Sequence, residues 1–328
     1  MTIKLADNIT LDPPVFLAPL AGITDLPFRR LVSRFGAGLV VSEMITSHEM
    51  LAGRRGVREK AELGLGEQNT AVQIAGRGEE EMATAARLLA ENGAKIIDIN
   101  MGCPVKKVVS GYCGSALLRD LDHAMRLIRA VIGAVDVPVT LKTRLGWDRS
   151  QMNAAELAGR AEQAGVRMIT IHGRTRQQLY KGQADWRAIA AVKRAVGIPV
   201  IANGDITDIA AARRALEQSG ADGVMVGRGV QGAPWRLAEI AAALFGTAAP
   251  EIPAGADFAD MVAGHYREML DFYGERMGNR NARKHLGWYM DHAGTPPDLR
   301  KQVLTENDPM QVLRLLPLAI GRQRVAAA

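Results

Sequence analysis

Cysteine is scarce in this chain, and long apolar runs are absent. Two cysteines in 328 residues, Cys103 and Cys113, cannot build a disulfide framework, and two thiols ten residues apart supply too few ligands for a structural zinc or an all-cysteine cluster. A reducing compartment follows, and no metal is expected. No uninterrupted apolar stretch reaches about 18 residues, and the N-terminal MTIKLADNITLDPP sets one lysine among aspartates without the apolar core of a secretion signal. The expectation is a cytoplasmic protein with no membrane partner. Charge of one sign is also in short supply: 41 Lys and Arg against 35 Asp and Glu leave +6 and a pI near 9.5. That balance is compatible with a polyanionic partner but too mild to identify one.

At 35.3 kDa the chain can hold one large α/β domain plus an appendage, or two ordinary domains. Eight β-rich runs recur along it, each followed by an Ala-rich amphipathic stretch: VFLAP (15–19), GLVVSEM (38–44), AVQIAG (71–76), IIDIN (96–100), PVTLKTR (138–144), MITIHG (168–173), PVIANGD (199–205) and GVMVGR (223–228). This alternation is the pattern of parallel βα units, and eight of them over about 240 residues suit a TIM barrel better than a doubly wound sheet. ENGAKIIDIN, QAGVRMITIHG and QSGADGVMVG repeat a Gly-Ala or Gly-Val step just before a strand, which is helix C-capping chemistry at the same place in the unit. The fold class is therefore α/β: a TIM (β/α)8 barrel over 1–245, a Pro/Gly/Ala linker over 246–256, and a small C-terminal all-α domain over 257–328, where no strand pattern remains.

Chemistry in such a barrel collects at the C-terminal ends of the strands. Those ends carry Pro19, Leu20 and Ala21, then Glu43, Gln73, Asn100 with Cys103, Lys142 with Arg144, His172, Asn203-Gly204-Asp205, and Gly227-Arg228. Taken singly, each is most simply a solvated loop residue; together they suit a cofactor with an amide-rich ring and a phosphate tail. Gln73 and Lys142 would address ring oxygens, and the last two glycine-containing loops would hold phosphate. GRGVQG (227–232) formally matches a dinucleotide fingerprint, but it lies in the last βα unit and runs into the linker, so a mononucleotide phosphate is the better reading. A lone cysteine is most often an inert small hydrophobe. Cys103 departs from that pattern, since it follows a strand end in a Gly-Cys-Pro turn beside Lys106 and Lys107, as an exposed thiol near positive charge would. Spacing alone leaves nucleophile and proton donor both open. Cys113, among small residues, reads as structural.

In order, APLAGITDLPFR, VSEM, VQIAG, DINMGCPVKKV, GSALL, VPVTLKTRLGW, ITIHGRTR, IPVIANGDI and GVMVGRGVQGAPW resemble the flavin-dependent tRNA-dihydrouridine synthases, most of all the bacterial B-type branch. The likeness spans nearly the whole chain. It implies FMN at the barrel mouth, NADPH as reductant and the C5=C6 bond of a tRNA uridine as the bond reduced. It further implies that Pro19, Leu20, Ala21, Gln73, Lys142, Asn203, Gly204, Asp205, Gly227 and Arg228 bind FMN with His172 close by. Asn100 would lie near flavin and base, and Arg144 would contact substrate. Cys103 would be the catalytic acid, protonating C5 after hydride reaches C6, with Lys142 offsetting negative charge on the reduced ring. The cysteine at 113 departs from the pattern, where a small residue is expected.

A base held in folded RNA must leave its stack to reach such a site, at about a few kcal/mol, so backbone contacts must offset that. Arg276, Arg280, Arg283, Lys284 and His285 lie along a helical stretch that also carries Trp288 and Tyr289, and the spacing lets several share a face. They read as a tRNA-docking surface, helped by Lys106, Lys107, Arg174 and Arg176 at the barrel rim; the plain alternative is a solvated basic face over an aromatic core. A flavin barrel acting on a small molecule and a non-catalytic RNA-binding barrel are the competing functions. A monomer with no obligate protein partner is expected.

Overall fold

All eight expected runs form strands in the computed structural model, which describes residues 2–53 and 69–321. They are β3 (Val15–Leu17), β4 (Leu39–Val41), β6 (Thr70–Ala75), β7 (Ile97–Met101), β8 (Val139–Arg144), β9 (Met168–His172), β10 (Val200–Asn203) and β11 (Gly223–Val226). Each pairs in parallel with its neighbours, and β3 closes the ring by pairing with both β4 and β11, while β4 pairs on to β6. The result is an eight-stranded TIM barrel. A two-residue strand, β5 (Ile45–Thr46), adds to β6 beyond the end of β4. Several strands stop short of the run read from sequence, because their last residues turn out of the sheet to build the loops of the mouth.

Alternation along the strands separates two environments. Ile97, Ile99, Leu141, Ile169 and Ile171 join the core formed with the surrounding helices, so the residues between them face the barrel interior. The lower interior is apolar: Phe16, Leu39, Val41, Ala71, Ile96, Met168, Ile201 and Met225 pack together. Ile3, Leu5 and Leu11 join them from a hairpin of β1 (Ile3–Ala6) and β2 (Ile9–Leu11) that plugs the bottom. Both strands of that hairpin are too short to stand out as a periodic run. The upper interior is polar, and the site is there.

Helix ends follow local chemistry. Asp25, Asp120, Asp185 and Asp208 each cap a helix by accepting the backbone N–H three residues on. Glycines at the expected C-terminal steps take positive φ: 95° at Gly93, 109° at Gly165 and 64° at Gly220.

Beyond the barrel lie four helices, Gly255–Tyr273, Glu275–Ala293, Pro297–Thr305 and Pro309–Ile320, and no strand among the described residues. The first of these starts inside the stretch read as linker, and residues 322–328 fall outside those described. The helices share a core with the barrel. Leu31 and Trp235 from the barrel side pack with Phe258, Tyr266, Leu286 and Tyr289, with the Trp235 and Phe258 rings 5.5 Å apart. His285, expected on a basic surface, is instead only 2% exposed, its ring 4.8 Å from that of Phe28 and 4.9 Å from that of His265. Burial holds its pKa well below the usual histidine value, so it is a neutral core ring.

The closest approach at the ring's foot gives a test. A Cβ at Gly38 would fall 1.7 Å from the Pro13 carbonyl oxygen, which is backbone and cannot swing aside. Gly38→Ala should destabilise the fold by about 1–3 kcal/mol, seen as a drop in Tm of several degrees; an unchanged Tm would contradict the close packing of this corner.

Candidate active site

A single hydrogen-bonded chain crosses the upper interior to Cys103. Thr140 Oγ1 donates to Asp98 Oδ1 at 2.6 Å and Gln73 Nε2 donates to Asp98 Oδ2 at 2.7 Å. Gln73 Oε1 accepts from Asn100 Nδ2 at 2.7 Å, and Asn100 Oδ1 accepts the backbone N–H groups of Gly102 at 3.1 Å and Cys103 at 2.9 Å. Strand register aligns these groups: Gln73 lies opposite Asp98, Asp98 opposite Thr140, and Asn100 opposite Lys142. The Cys103 carbonyl accepts from Ser115 N at 3.1 Å and Ser115 Oγ at 2.9 Å, while Arg144 Nε donates to Gly102 O at 2.8 Å. Gly114, at φ 60°, lets this happen, since a Cβ there would sit 2.8 Å from the Cys103 oxygen. The half-buried thiol is thus carried on a turn fixed at both ends. Cys113, also half-buried, has its pKa raised by burial, as a structural thiol would.

Lys142 stands beside Asn100 and donates from Nζ to Asn203 Oδ1 at 3.0 Å. Burial, with Arg144 adding to it, lowers its pKa to about 8, so it remains mostly charged at neutral pH. His172 is pushed well below its usual value by burial and by the surrounding Arg144, Lys142, Arg174 and Arg228, which leaves it neutral.

Arg174 does not stand on the rim. It is 2% exposed, pairs with Asp205 through Nη1 at 2.9 Å and Nη2 at 2.5 Å, and donates to the carbonyls of Lys181 and Gly182. A guanidinium so enclosed cannot reach RNA; it ties the loop after β9 to the Asn203-Gly204-Asp205 turn. Gly204 fits against His172, where a Cβ would meet the ring at 2.9 Å. Arg228 is exposed, 3.7 Å from Asp205. Gly227 lies against Ala18 and Leu20, because β11 and β3 are neighbours. The Pro19-Leu20-Ala21 loop and the Gly227-Arg228 turn therefore share one side of the mouth.

Arg144 is buried, its Nη1 on the carbonyls of Thr175 at 3.0 Å and Leu179 at 2.8 Å. Tyr180, which no sequence signal singled out, is exposed with the guanidinium carbons of Arg144 and Arg228 each 5.5 Å from its ring centre. Arg176 covers Trp147 at 4.8 Å. Lys106 and Lys107 are exposed at the start of a short helix (Lys106–Val109) after Cys103, Lys107 lying 3.6 Å from Glu49.

On the helical side, Arg276 and Arg280 are exposed as expected. Arg283 is instead half-buried, donating to Glu306 O at 3.3 Å and Asn307 Oδ1 at 2.9 Å. Lys284 reaches back to the barrel and donates to the Gly22 carbonyl, while Glu43 accepts the Gly22 N–H at 2.7 Å. The peptide just after the Pro19-Ala21 loop is thus gripped from both sides. Asp98, absent from the sequence-level set, was signalled only by its spacing of two from Asn100 in IIDIN.

Fold and site together define a TIM-barrel enzyme with a polar mouth, a positioned thiol and an attached helical region. The chain belongs to the dihydrouridine synthase (Dus) family, whose model matches residues 16–322. It is 62% identical to the "Probable tRNA-dihydrouridine synthase" of Rhodobacter capsulatus over 327 residues, 99% of this chain and 100% of that one. It is 49% identical to the "tRNA-dihydrouridine synthase B" of Pseudomonas aeruginosa over 291 residues, 88% of this chain and 87% of that one. The corresponding protein of Vibrio vulnificus is 46% identical over 299 residues, 90% and 91% of the two chains. A solved 2-naphthoyl-CoA reductase complex shares the fold at a TM-score of 0.57 and 14% identity, covering 73% of this chain and 51% of that one.

The Arg174 pair is testable by stability alone. Burial tends to raise the Asp205 carboxyl, but the Arg174 bonds, the Ala184 N–H and the charges of Arg174 and Arg228 outweigh it and hold the pKa low. Its stabilisation is therefore present above the ordinary carboxylate range and lost as pH falls through the depressed value. Asp205→Asn should cost about 3 kcal/mol at pH 7, low in the range for breaking a buried pair because Asp205 is partly exposed. Arg228→Gln should cost almost nothing. Equal effects in thermal or denaturant unfolding would contradict this assignment.

Proposed function

We infer that this chain is an FMN-dependent, NADPH-driven tRNA-dihydrouridine synthase of the cytoplasm, with Cys103 as proton donor. The observation that carries this reading is the Cys103 turn, anchored by Asn100 at the same mouth as the Lys142 cation. The membrane plays no part in this reading, and no helix among the described residues is long and apolar enough to cross one.

The donor set suits the cofactor. Gln73 and Asn100 each keep an amide N–H outside the chain described above, and Lys142 adds a cation, which matches a ring edged with carbonyls and ring nitrogens. Exposed Arg228, the Gly227 backbone and the Asn203-Gly204-Asp205 turn match a phosphate, and Leu20 lies against Gly227 and neutral His172 against Gly204. When bound, reduced FMN supplies a hydride to C6 of the base. Cys103 would give its thiol proton to C5, neutralising the enolate charge that develops toward O4. Lys142 offsets negative charge on the ring edge, and Asn100 and Arg144 keep the thiol turn in place beside the base. Cys113 has no role in these steps.

The target uridine leaves its stack to enter the mouth. Exposed Arg276 and Arg280 on the Glu275–Ala293 helix, with Lys106, Lys107 and half-buried Arg176, would meet tRNA phosphates. Lys284 and Arg283 act instead in holding the helices to the barrel and to each other. The protein works as a monomer in this account.

Two outcomes follow. Cys103→Ala should keep bound flavin and its reduction by NADPH while dihydrouridine formation in unmodified tRNA falls by about two orders of magnitude or more; nucleoside analysis at wild-type levels would remove Cys103 from the chemistry. Arg276→Glu with Arg280→Glu should weaken tRNA binding and flatten its salt dependence with flavin content unchanged. An unchanged salt slope would move the docking face elsewhere.

A further inference from the structure

The hydrogen bonds around Asp98 have only one self-consistent direction. At one end, two backbone N–H groups face the same atom of Asn100, so that atom is oxygen. Asn100 must then present its nitrogen to Gln73, which answers with oxygen and turns its own nitrogen to residue 98. The group at 98 must accept. Asp98, 4% exposed, does so, and its second oxygen is occupied by Thr140. An amide side chain is nearly symmetric in shape, so Gln73 and Asn100 have no steric reason to prefer this orientation. The two backbone N–H groups supply an electrostatic one at the Asn100 end, and the acceptor at 98 supplies it at the Gln73 end.

We propose that Asp98 is a positioning residue: by accepting from Gln73 it sets the direction of the Gln73 and Asn100 amides, and through them the backbone turn that presents Cys103. The consequence for catalysis rests on the reading of Cys103 as proton donor. The consequence for the turn does not. Asp98 touches neither the base nor the thiol, and what it contributes is an acceptor rather than a charge.

That distinction makes the proposal testable in the holoenzyme. In Asp98→Asn, the new amide oxygen can still accept from Gln73 while its nitrogen donates to Thr140, whose hydroxyl can turn to accept. The rate at which tRNA oxidises the NADPH-reduced enzyme, per bound flavin, should stay within about threefold of wild type. Asp98→Leu removes the acceptor and should slow that step by about ten- to hundredfold, the scale of a displacement of about 1 Å at a reacting group, and by more than it slows reduction by NADPH. Full speed in Asp98→Leu, or equal damage in Asp98→Asn, would overturn the proposal; the second result would mean that the charge is what matters.

A charge swap covers the case in which Asp98→Leu fails to fold. Asn100→Asp alone sets two acceptors face to face at Gln73. Adding Asp98→Asn lets Gln73 reverse, donating to Asp at 100 and accepting from Asn at 98. Alkylation of Cys103 by iodoacetamide, followed by peptide mass with Cys113 as internal reference, should shift in Asn100→Asp and return to within about twofold of wild type in the pair. Simple additivity would refute the coupling. Cys103→Ala, assayed in parallel for dihydrouridine, tests the proton-donor reading separately, since the alkylation result holds whether or not the thiol is the acid.

Discussion

The site depends on an unbroken line of hydrogen bonds through the upper barrel, from Thr140 and Asp98 across Gln73 and Asn100 to the backbone of Cys103. Buried amides and a buried carboxyl are tolerable in that interior only because each finds a partner, and unmaking one link would leave a costly orphan. Burial raises the Asp98 pKa above the usual carboxylate value, and bonds from Gln73 and Thr140 and the charge of Lys142 offset it only in part. Of the groups that satisfy Asp98, Gln73 also bonds Asn100 and Lys142 also bonds Asn203. The hydrogen bonds that satisfy the buried groups therefore also fix the Cys103 turn.

Ring closure makes this line possible. Parallel pairing all round the barrel puts every strand's C-terminal end at one mouth, and the shared register sets Asn100 beside Lys142 and Arg144 beside His172. The β1–β2 hairpin fills the bottom with apolar side chains, so the polar layer occupies only the end that opens to substrate. The helical region is not loosely tethered. Its Lys284 and Tyr273 bond Gly22 and Asp25, either end of the turn that follows Pro19-Leu20-Ala21, and Phe28 packs on His265 and His285. The helices are thus mechanically continuous with a loop of the mouth.

Much of this was legible in the sequence because it is local. Alternating βα units and glycine C-caps each act within a few residues, and the polar residues at strand ends follow once eight strands are counted. The rest depended on contacts far apart in the chain. Arg174 in HGRTR reads as a rim cation, but Asp205, far along the chain, draws it inside. His285 sits in the basic string RNARKH, yet the helix turns it toward Phe28, whereas Arg283 is taken by Asn307. Asp98 was visible in IIDIN as a polar residue in step with Asn100, but its significance lies in the orientation of Gln73, which no spacing encodes.

The central proposal is geometric: the thiol of Cys103 would approach the uracil from the face opposite the hydride source. The stereochemistry of reduction tests it directly. With the enzyme reduced and turned over on unmodified tRNA in deuterium oxide, NMR of the isolated dihydrouridine should show the deuterons at C5 and C6 on opposite faces of the ring. Delivery of both to the same face would contradict the account.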